Sequence, residues 1–234
     1  MGEERGRRWL AVGLVVAAAG AGFAVWLGRD DGFDCGPLLE DRTRLMGEPF
    51  GQGSRTVAAL GDSYTLGSGL SGPEAAWPAA LTSRLDVSVV VDGVGSTGFT
   101  TRGFCPGDDV TYGERVDDDW IDADTVVVQG GVNDVLAGRP DDVAAAAGDL
   151  LAELEDVPTV LLVGPPNLPG ADPADLRTVD DALRSAADDA GRPYLPLIGA
   201  GIELQPDLVH PTAAGQQRIA DLVALALAAA GPQQ

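Results

Sequence analysis

The stretch VAALGDSYTLGSGL, from Val57 to Leu70, decides how this sequence folds. A short apolar run ends in a turn made of Gly61, Asp62 and Ser63, and more glycines follow. The pattern predicts a buried strand that passes through a tight turn into a helix. Ser63 then stands at the carboxyl end of the strand, where it either caps the helix or is displayed as a nucleophile.

Further strand and helix patterns alternate along the rest of the chain, which predicts an α/β domain with a parallel sheet covered on both faces. Four more strands are predicted in VSVVVDGV (87–94), DTVVVQGG (124–131), PTVLLVGPP (158–166) and RPYLPLI (192–198). Helices are predicted in EAAWPAALTSRL (74–85), DDVAAAAGDLLAELED (141–156), DPADLRTVDDALRSAADDAG (172–191) and TAAGQQRIADLVALALAAAG (212–231). Thr212 is the predicted N-cap of the last helix.

Composition limits the partners of this domain. The 234 residues carry 15 basic side chains, all arginine, against 36 acidic ones, for a net charge of −21. Such a surface repels phosphate backbones, so no nucleic-acid partner is expected.

The N-terminus predicts a membrane anchor. A basic tail, 1–8, precedes an uncharged apolar segment, 9–27, which as a helix would span about 28 Å, close to the hydrocarbon thickness of a bilayer. The basic flank keeps the tail cytoplasmic, and a linker, 28–54, leads to an exported domain, 55–231. Cleavage as a signal peptide near Ala19–Ala21 is an open alternative, and a buried core helix is a weaker one.

Polar residues collect where predicted strands end. Ser63 follows the first strand, Gly95 to Gly98 follow the second, and Asn133 follows the third. The single histidine, His210, lies three residues after Asp207 in one loop, and a serine nucleophile needs such a base and orienting carboxylate. Taken one at a time, each of these residues has an ordinary structural interpretation in a cap, turn or solvated loop.

Four motifs together resemble the four blocks of the SGNH, or GDSL, hydrolase family: GDSY (61–64), GVGSTGFT (93–100), GGVND (130–134) and DLVHP (207–211). The resemblance implies a flavodoxin-like three-layer α/β/α fold with a five-stranded parallel sheet and serine-based ester hydrolysis. It assigns Ser63 as nucleophile, His210 as base and Asp207 as the residue that orients the base. The N–H groups of Ser63 and Gly98 and the Asn133 amide would form the oxyanion hole.

Two positions depart from the family pattern. Tyr64 stands where leucine is usual, and Asp92 stands where asparagine is frequent. The second block also offers Gly95 beside Gly98 as the oxyanion glycine, and Gly98 is preferred because TGFT (97–100) best matches the usual Gly-x-Thr ending of the block. Asp62 and Asp134, which flank the motifs, are interpreted as structural.

The expected activity is hydrolysis of a small-molecule, lipid or carbohydrate ester through an acyl-enzyme, with no metal and no cofactor. The alternatives are an exported O-acyltransferase acting on cell-wall sugars and an inactive surface binding domain. Specificity is expected to reside in the loops 99–120 and 164–173.

The two cysteines, Cys35 and Cys105, are predicted to form a disulfide because the exported compartment would be oxidising. Two separate buried thiols are the alternative.

Overall fold

A computed structural model describes residues 36–105, 110–116 and 120–230 of the chain. Four of their five strands are largely buried, as the apolar sequence runs predict, and the last strand is only partly buried. The strands are β1 (Arg55–Gly61), β2 (Val87–Gly93), β3 (Thr125–Gln129), β4 (Thr159–Pro166) and β5 (Tyr194–Leu197).

The five strands form one parallel sheet with the order β2-β1-β3-β4-β5. The chain moves outward from β1 to β2, returns across β1 to β3, and then continues in the opposite direction. This reversal between β1 and β3 opens a crevice at the carboxyl ends of those strands, which is where open α/β sheets bind ligands. The predicted five-stranded parallel sheet is confirmed.

Helices cover both faces of the sheet. They are α1 (Gly36–Gly47), α2 (Ser63–Leu66), α3 (Trp77–Leu81), α4 (Val132–Leu136), α5 (Val143–Glu153), α6 (Pro173–Asp189) and α7 (Ala213–Ala230). Helix α3 packs against α7, and α5 packs against α6. Right-handed crossover connections place these two pairs on opposite faces, which gives the predicted three-layer arrangement.

Local sequence signals explain where the long helices begin. Asp172 caps α6 by accepting the N–H of Ala174 at 2.7 Å, and Pro173 occupies the first turn, where a missing N–H costs nothing. Thr212 caps α7 through its Oγ1, which accepts the N–H of Gly215 at 3.1 Å. The predicted N-cap at Thr212 is confirmed.

The segment before β1 belongs partly to the domain. Leu45, on α1, is 1% exposed and lies inside the hydrophobic core. Phe50 forms an antiparallel bridge with Val89, with both N–H···O distances at 2.8 Å. The predicted linker over 28–54 therefore contains a helix and core contacts, and the compact unit starts before residue 55.

Two predictions fall on residues outside the described ranges. The predicted membrane segment, 9–27, lies there, and among the described residues no helix is both long and apolar enough to cross a bilayer. Cys35 also lies there. Cys105 is buried, and no cysteine within the described ranges is free. Because Cys35 lies outside those ranges, the disulfide between Cys35 and Cys105 stays a prediction.

Candidate active site

The turn after β1 presents Ser63 at the carboxyl end of the sheet. Ser63 is the first residue of α2, and Asp62 caps this short helix by accepting the N–H of Tyr64 at 2.9 Å. Gly61 is required here because a Cβ would lie 2.1 Å from Thr65 Oγ1. The turn is therefore too tight for any other residue, and it leaves the serine side chain half-buried at the crevice.

The loop before α7 brings the single histidine to this serine. His210 Nε2 lies 3.1 Å from Ser63 Oγ, and His210 Nδ1 lies 2.7 Å from Asp207 Oδ2. The three predicted residues thus form one continuous chain of hydrogen bonds. In this arrangement the carboxylate fixes the tautomer of the imidazole, which leaves Nε2 free to accept the serine proton.

Backbone contacts hold the histidine loop in place. Asp207 Oδ1 accepts the N–H groups of Val209 and His210, both at 3.0 Å. Partial burial raises the pKa of Asp207, but the hydrogen bonds from the His210 ring and from these N–H groups outweigh it, so the pKa lies below its usual value. Tyr64, next to the nucleophile, donates its hydroxyl to the carbonyl of Val209. The tyrosine that replaces the family's usual leucine therefore ties the serine turn to the histidine loop.

Two of the groups predicted to bind an oxyanion lie beside the nucleophile turn. The N–H of Ser63, in the first turn of α2, has no acceptor among the described residues. Asn133 Nδ2, on α4, donates to the carbonyl of Thr97 at 2.8 Å and, over a longer 3.3 Å, to Asp62 Oδ2. The amide is thereby held against the Asp62–Ser63 turn.

The two candidate glycines of the oxyanion hole differ in how their N–H groups are bonded. The N–H of Gly98, the predicted donor, donates to Thr101 O at 2.8 Å within its own loop. Gly98 also has a packing reason to be glycine, since a Cβ would lie 2.4 Å from Asp134 Oδ2. The N–H of Gly95, in contrast, has no acceptor among the described residues, and nothing lies within 4 Å of a Cβ built there.

The sequence between 59 and 218 matches the model of the GDSL-like lipase/acylhydrolase family, which covers well over half of the chain. The chain belongs to this family. As a GDSL-family protein it is a serine ester hydrolase, and the resemblance of the four motifs is confirmed.

Solved structures share the fold of this GDSL hydrolase. Est24, a carbohydrate acetylesterase from Sinorhizobium meliloti, superposes with a TM-score of 0.59 at 20% identity, over 76% of this chain and 100% of its own. The native aryl esterase of M. smegmatis gives a TM-score of 0.58 at 18% identity, over 74% and 97%. No curated protein sequence matches the chain closely enough to count as a relative.

Asp134 of the hydrolase holds the loop that follows β2. Its Oδ1 accepts the N–H and the hydroxyl of both Thr100 and Thr101, at 2.8 to 3.1 Å. Its Oδ2 accepts the N–H of Phe99 at 3.0 Å. Because the neighbouring Asn133 binds Thr97, consecutive residues of α4 fix two points of the same loop. The structural interpretation of Asp134 agrees with these contacts.

Asp62 is buried directly beside the nucleophile. Burial raises its pKa to about 6, although the hydrogen bond from the Tyr64 N–H acts in the opposite direction. Its second oxygen contacts the Asn133 amide. Asp62 therefore supports both the nucleophile turn and the amide, in agreement with its structural interpretation.

A buried ion cluster under the site was missed by the sequence analysis. Asp92, at the end of β2, accepts from Arg115 Nη1 at 3.0 Å, Arg42 Nε at 2.9 Å and Trp120 Nε1 at 2.9 Å. Burial raises the pKa of Asp92, but the two guanidinium groups outweigh it and hold the pKa below its usual value. The aspartate that replaces the family's frequent asparagine thus has cationic partners. In the sequence, the only indication of this ion cluster is Arg115, a basic residue within an acid-rich loop.

Proposed function

We propose that the protein cleaves a small acyl ester by nucleophilic attack of Ser63, with His210 as general base and Asp207 orienting it. The hydrogen-bond chain from Ser63 Oγ through the imidazole to Asp207, with distances of 3.1 and 2.7 Å, carries this proposal. The geometry matches what a weak hydroxyl nucleophile needs, namely a base within hydrogen-bond reach that a third group orients.

Acylation begins when Ser63 Oγ bonds to the ester carbonyl carbon and its proton passes to His210 Nε2. The carbonyl oxygen becomes an oxyanion. When the tetrahedral intermediate collapses, the bond between the carbonyl carbon and the alcohol oxygen breaks, and His210 returns the proton to the departing alcohol. Ser63 is left as an acyl ester.

Deacylation repeats the sequence with water. His210 Nε2 takes a proton from the water as its oxygen attacks the acyl carbon, and the proton then returns to Ser63 Oγ as the acid leaves. Asp207 stays ionised throughout and stabilises the transient imidazolium, which fits its lowered pKa.

The oxyanion would accept from Ser63 N–H, Gly95 N–H and Asn133 Nδ2. Both amide hydrogens of Asn133 are engaged in the free protein. The 3.3 Å contact to Asp62 is the weaker of the two, so this is the bond that the amide would give up as negative charge develops.

The substrate class is proposed from the setting of the site. The side chains of His210 and Asp207 are 28% and 47% exposed, so the reacting groups meet solvent directly. Such a shallow rim suits a short acyl group on a polar alcohol, and the described fold neighbour Est24 is a carbohydrate acetylesterase. Acetylated carbohydrates are therefore the proposed first substrates to test.

The location is also a proposal. The tail 1–8 would remain cytoplasmic, the segment 9–27 would anchor the protein, and the catalytic domain would face outward. Protease added to intact cells should remove the catalytic domain. Full protection of the domain would contradict this orientation, and release into the medium would indicate cleavage near Ala19–Ala21.

A fluorophosphonate label tests the chemistry. One covalent adduct is expected at Ser63, together with hydrolysis of a short-chain nitrophenyl ester, and Ser63→Ala should remove both. Ser68→Ala is the matched control, because Ser68 lies five residues further along the same segment and should keep full labelling. Labelling that persists in Ser63→Ala would refute the assignment.

A further inference from the structure

Arg115 lies beneath the active site and contacts the segments that build it. Its side chain is 1% exposed, on a short 3₁₀ turn formed by Gly113–Arg115. Nη1 donates to Asp92 Oδ1 at 3.0 Å and to the Asp92 carbonyl at 3.1 Å. The guanidinium also lies over the ring of Tyr112, 4.9 Å from its centroid. These contacts fix the position of the Arg115 guanidinium independently of its contacts with the catalytic segments.

The second nitrogen reaches the nucleophile segment. Nη2 donates to the carbonyl of Gly61 at 3.0 Å, and Gly61 is separated from Ser63 only by Asp62. A carbonyl fixed at that point limits how the tight turn can tilt. The position of Ser63 Oγ relative to His210 depends on that tilt.

The same nitrogen also reaches the oxyanion side. Arg115 Nη2 lies 3.4 Å from Thr97 Oγ1, and the carbonyl of Thr97 accepts the Asn133 amide at 2.8 Å. One guanidinium group thus contacts both the backbone that leads to the nucleophile and the residue that holds the amide donor.

We propose that Arg115 is a positioning residue, which sets the distance between the nucleophile turn and the oxyanion loop. The inference rests on the proposed role of Ser63. A planar guanidinium with several fixed donors can bridge Gly61, Asp92 and Thr97 at once, whereas the single ammonium of a lysine cannot. Asp92, which also pairs with Arg42, neutralises and orients Arg115.

A residue that only stabilises the fold would act differently. Its loss would lower the melting temperature but leave turnover unchanged at temperatures where the protein is folded. A positioning residue instead affects the transition state, because small displacements of reacting groups reduce turnover while ground-state binding persists. The ratio of kcat to KM effects therefore distinguishes the two roles.

The main variant is Arg115→Lys, which keeps the positive charge next to Asp92 and loses the planar guanidinium with its several fixed N–H donors. Arg192→Lys is the matched control, because Arg192 also donates to backbone carbonyls, those of Val157, Leu154 and Glu155, without touching any site residue. For each protein we would measure kcat and KM on a short-chain nitrophenyl ester, the inhibition constant of a boronic acid that forms a tetrahedral adduct with the serine, and the melting temperature.

For Arg115→Lys, kcat and boronic-acid affinity should fall together by about 10- to 100-fold while KM changes less than about twofold. Arg192→Lys should lower the melting temperature and leave kcat within about twofold. If Arg115→Lys gives no folded protein, Asp92→Asn decides the matter, with a parallel loss of about 3- to 10-fold in both quantities.

Three results would overturn the proposal. If the Arg115→Lys enzyme matches Arg192→Lys in kcat and boronic-acid affinity while the wild type is active, Arg115 is purely structural. If KM rises and kcat holds, Arg115 acts on substrate binding. If the wild-type protein forms no adduct at Ser63, the proposed function fails, and this inference fails with it.

Discussion

Two sets of carboxylates lie at the carboxyl end of the sheet, and they differ in how much water reaches them. Asp207 is 47% exposed and belongs to a single loop with the histidine it orients. Asp62, Asp92 and Asp134 are completely buried, and each joins residues from more than one segment.

This difference in exposure corresponds to a difference in role: Asp207 serves the reaction, and the buried carboxylates hold the loops in position. Asp207 and His210 form an exposed pair in which the histidine must exchange protons with a substrate and with water, so the pair cannot be sealed inside the fold. The buried carboxylates accept hydrogen bonds that fix loop positions, and low dielectric surroundings make those bonds strong and expensive to break. We therefore expect substitutions in the exposed pair to change turnover alone, and substitutions in the buried set to change stability as well.

The largest effect is expected for His210→Ala. Without an imidazole no other base is within reach of Ser63 Oγ among the described residues, so kcat/KM should fall by at least about 10³-fold. The melting temperature should change little, because the ring is partly exposed. Steady-state kinetics and thermal unfolding on the same sample provide the check, and a loss below tenfold would remove His210 from the mechanism.

Asp134→Asn should combine both kinds of effect. The amide can no longer accept from five donors as an ion does, so the free energy of unfolding should fall by about 3–4 kcal/mol. The loop that faces the oxyanion should loosen, and kcat should fall with it.

Asp180→Asn is the matched control for this variant. Asp180 is also buried and accepts from Tyr194 Oη at 2.6 Å and Arg184 Nη2 at 3.0 Å, but on α6 and away from Ser63. The Asp180→Asn variant should therefore be less stable than the wild type and have the same kcat. Equal turnover in the two variants would contradict the division between the buried set and the rest of the core.

Much of this arrangement could be predicted from the sequence, and the limits have a physical pattern. Strands, helix caps and the Ser63–His210–Asp207 set follow from local signals, such as apolar runs, Pro173 and the spacing of DLVHP. Long-range contacts leave no such signal. The pairing of Asp92 with Arg42 spans 50 residues, and nothing in either segment indicates the other.

The choice between Gly95 and Gly98 also depends on contacts that are distant in sequence. Both Gly95 and Gly98 fit the motif, and the choice depends on which N–H is already bonded within the loop. That depends on Asp134, which draws Phe99 and the two threonines toward itself. The local sequence pattern leaves both glycines possible, and the tertiary contacts of Asp134 favour Gly95.

A smaller effect is expected from the pH dependence of Asp62. Its pKa rises from 3.8 in the unfolded chain to about 6 in the folded protein, so the native state holds the proton more tightly. Its contribution to stability is fully present below about pH 4 and is lost as the pH rises through about 6.

Asp62→Asn removes this titration. The unfolding free energy of the variant minus that of the wild type should increase by about 2–3 kcal/mol from pH 4 to pH 7. This increase does not depend on which protein is the more stable at pH 4. Denaturant titrations across that range measure the difference. A difference that is constant with pH would mean that Asp62 keeps an ordinary pKa.

The smallest effect is expected at the surface pair of Arg84 and Asp221, which joins the segment after α3 to α7 at 2.7 Å. Because Asp221 is 51% exposed, Asp221→Asn should change the unfolding free energy by less than about 1 kcal/mol and leave kcat unchanged. Chemical denaturation gives the value. A larger loss would show that burial is a poor guide to which carboxylates support this fold.

The bridge between Phe50 and Val89 has a consequence for the behaviour of the protein at high concentration. β2 is an edge strand, and the bridge occupies backbone groups that would otherwise be open to a strand from another molecule. At the opposite edge, β5 contains Pro196, which has no N–H to offer. Both borders of the sheet are therefore poor templates for intermolecular pairing, which protects the protein against aggregation through its edges.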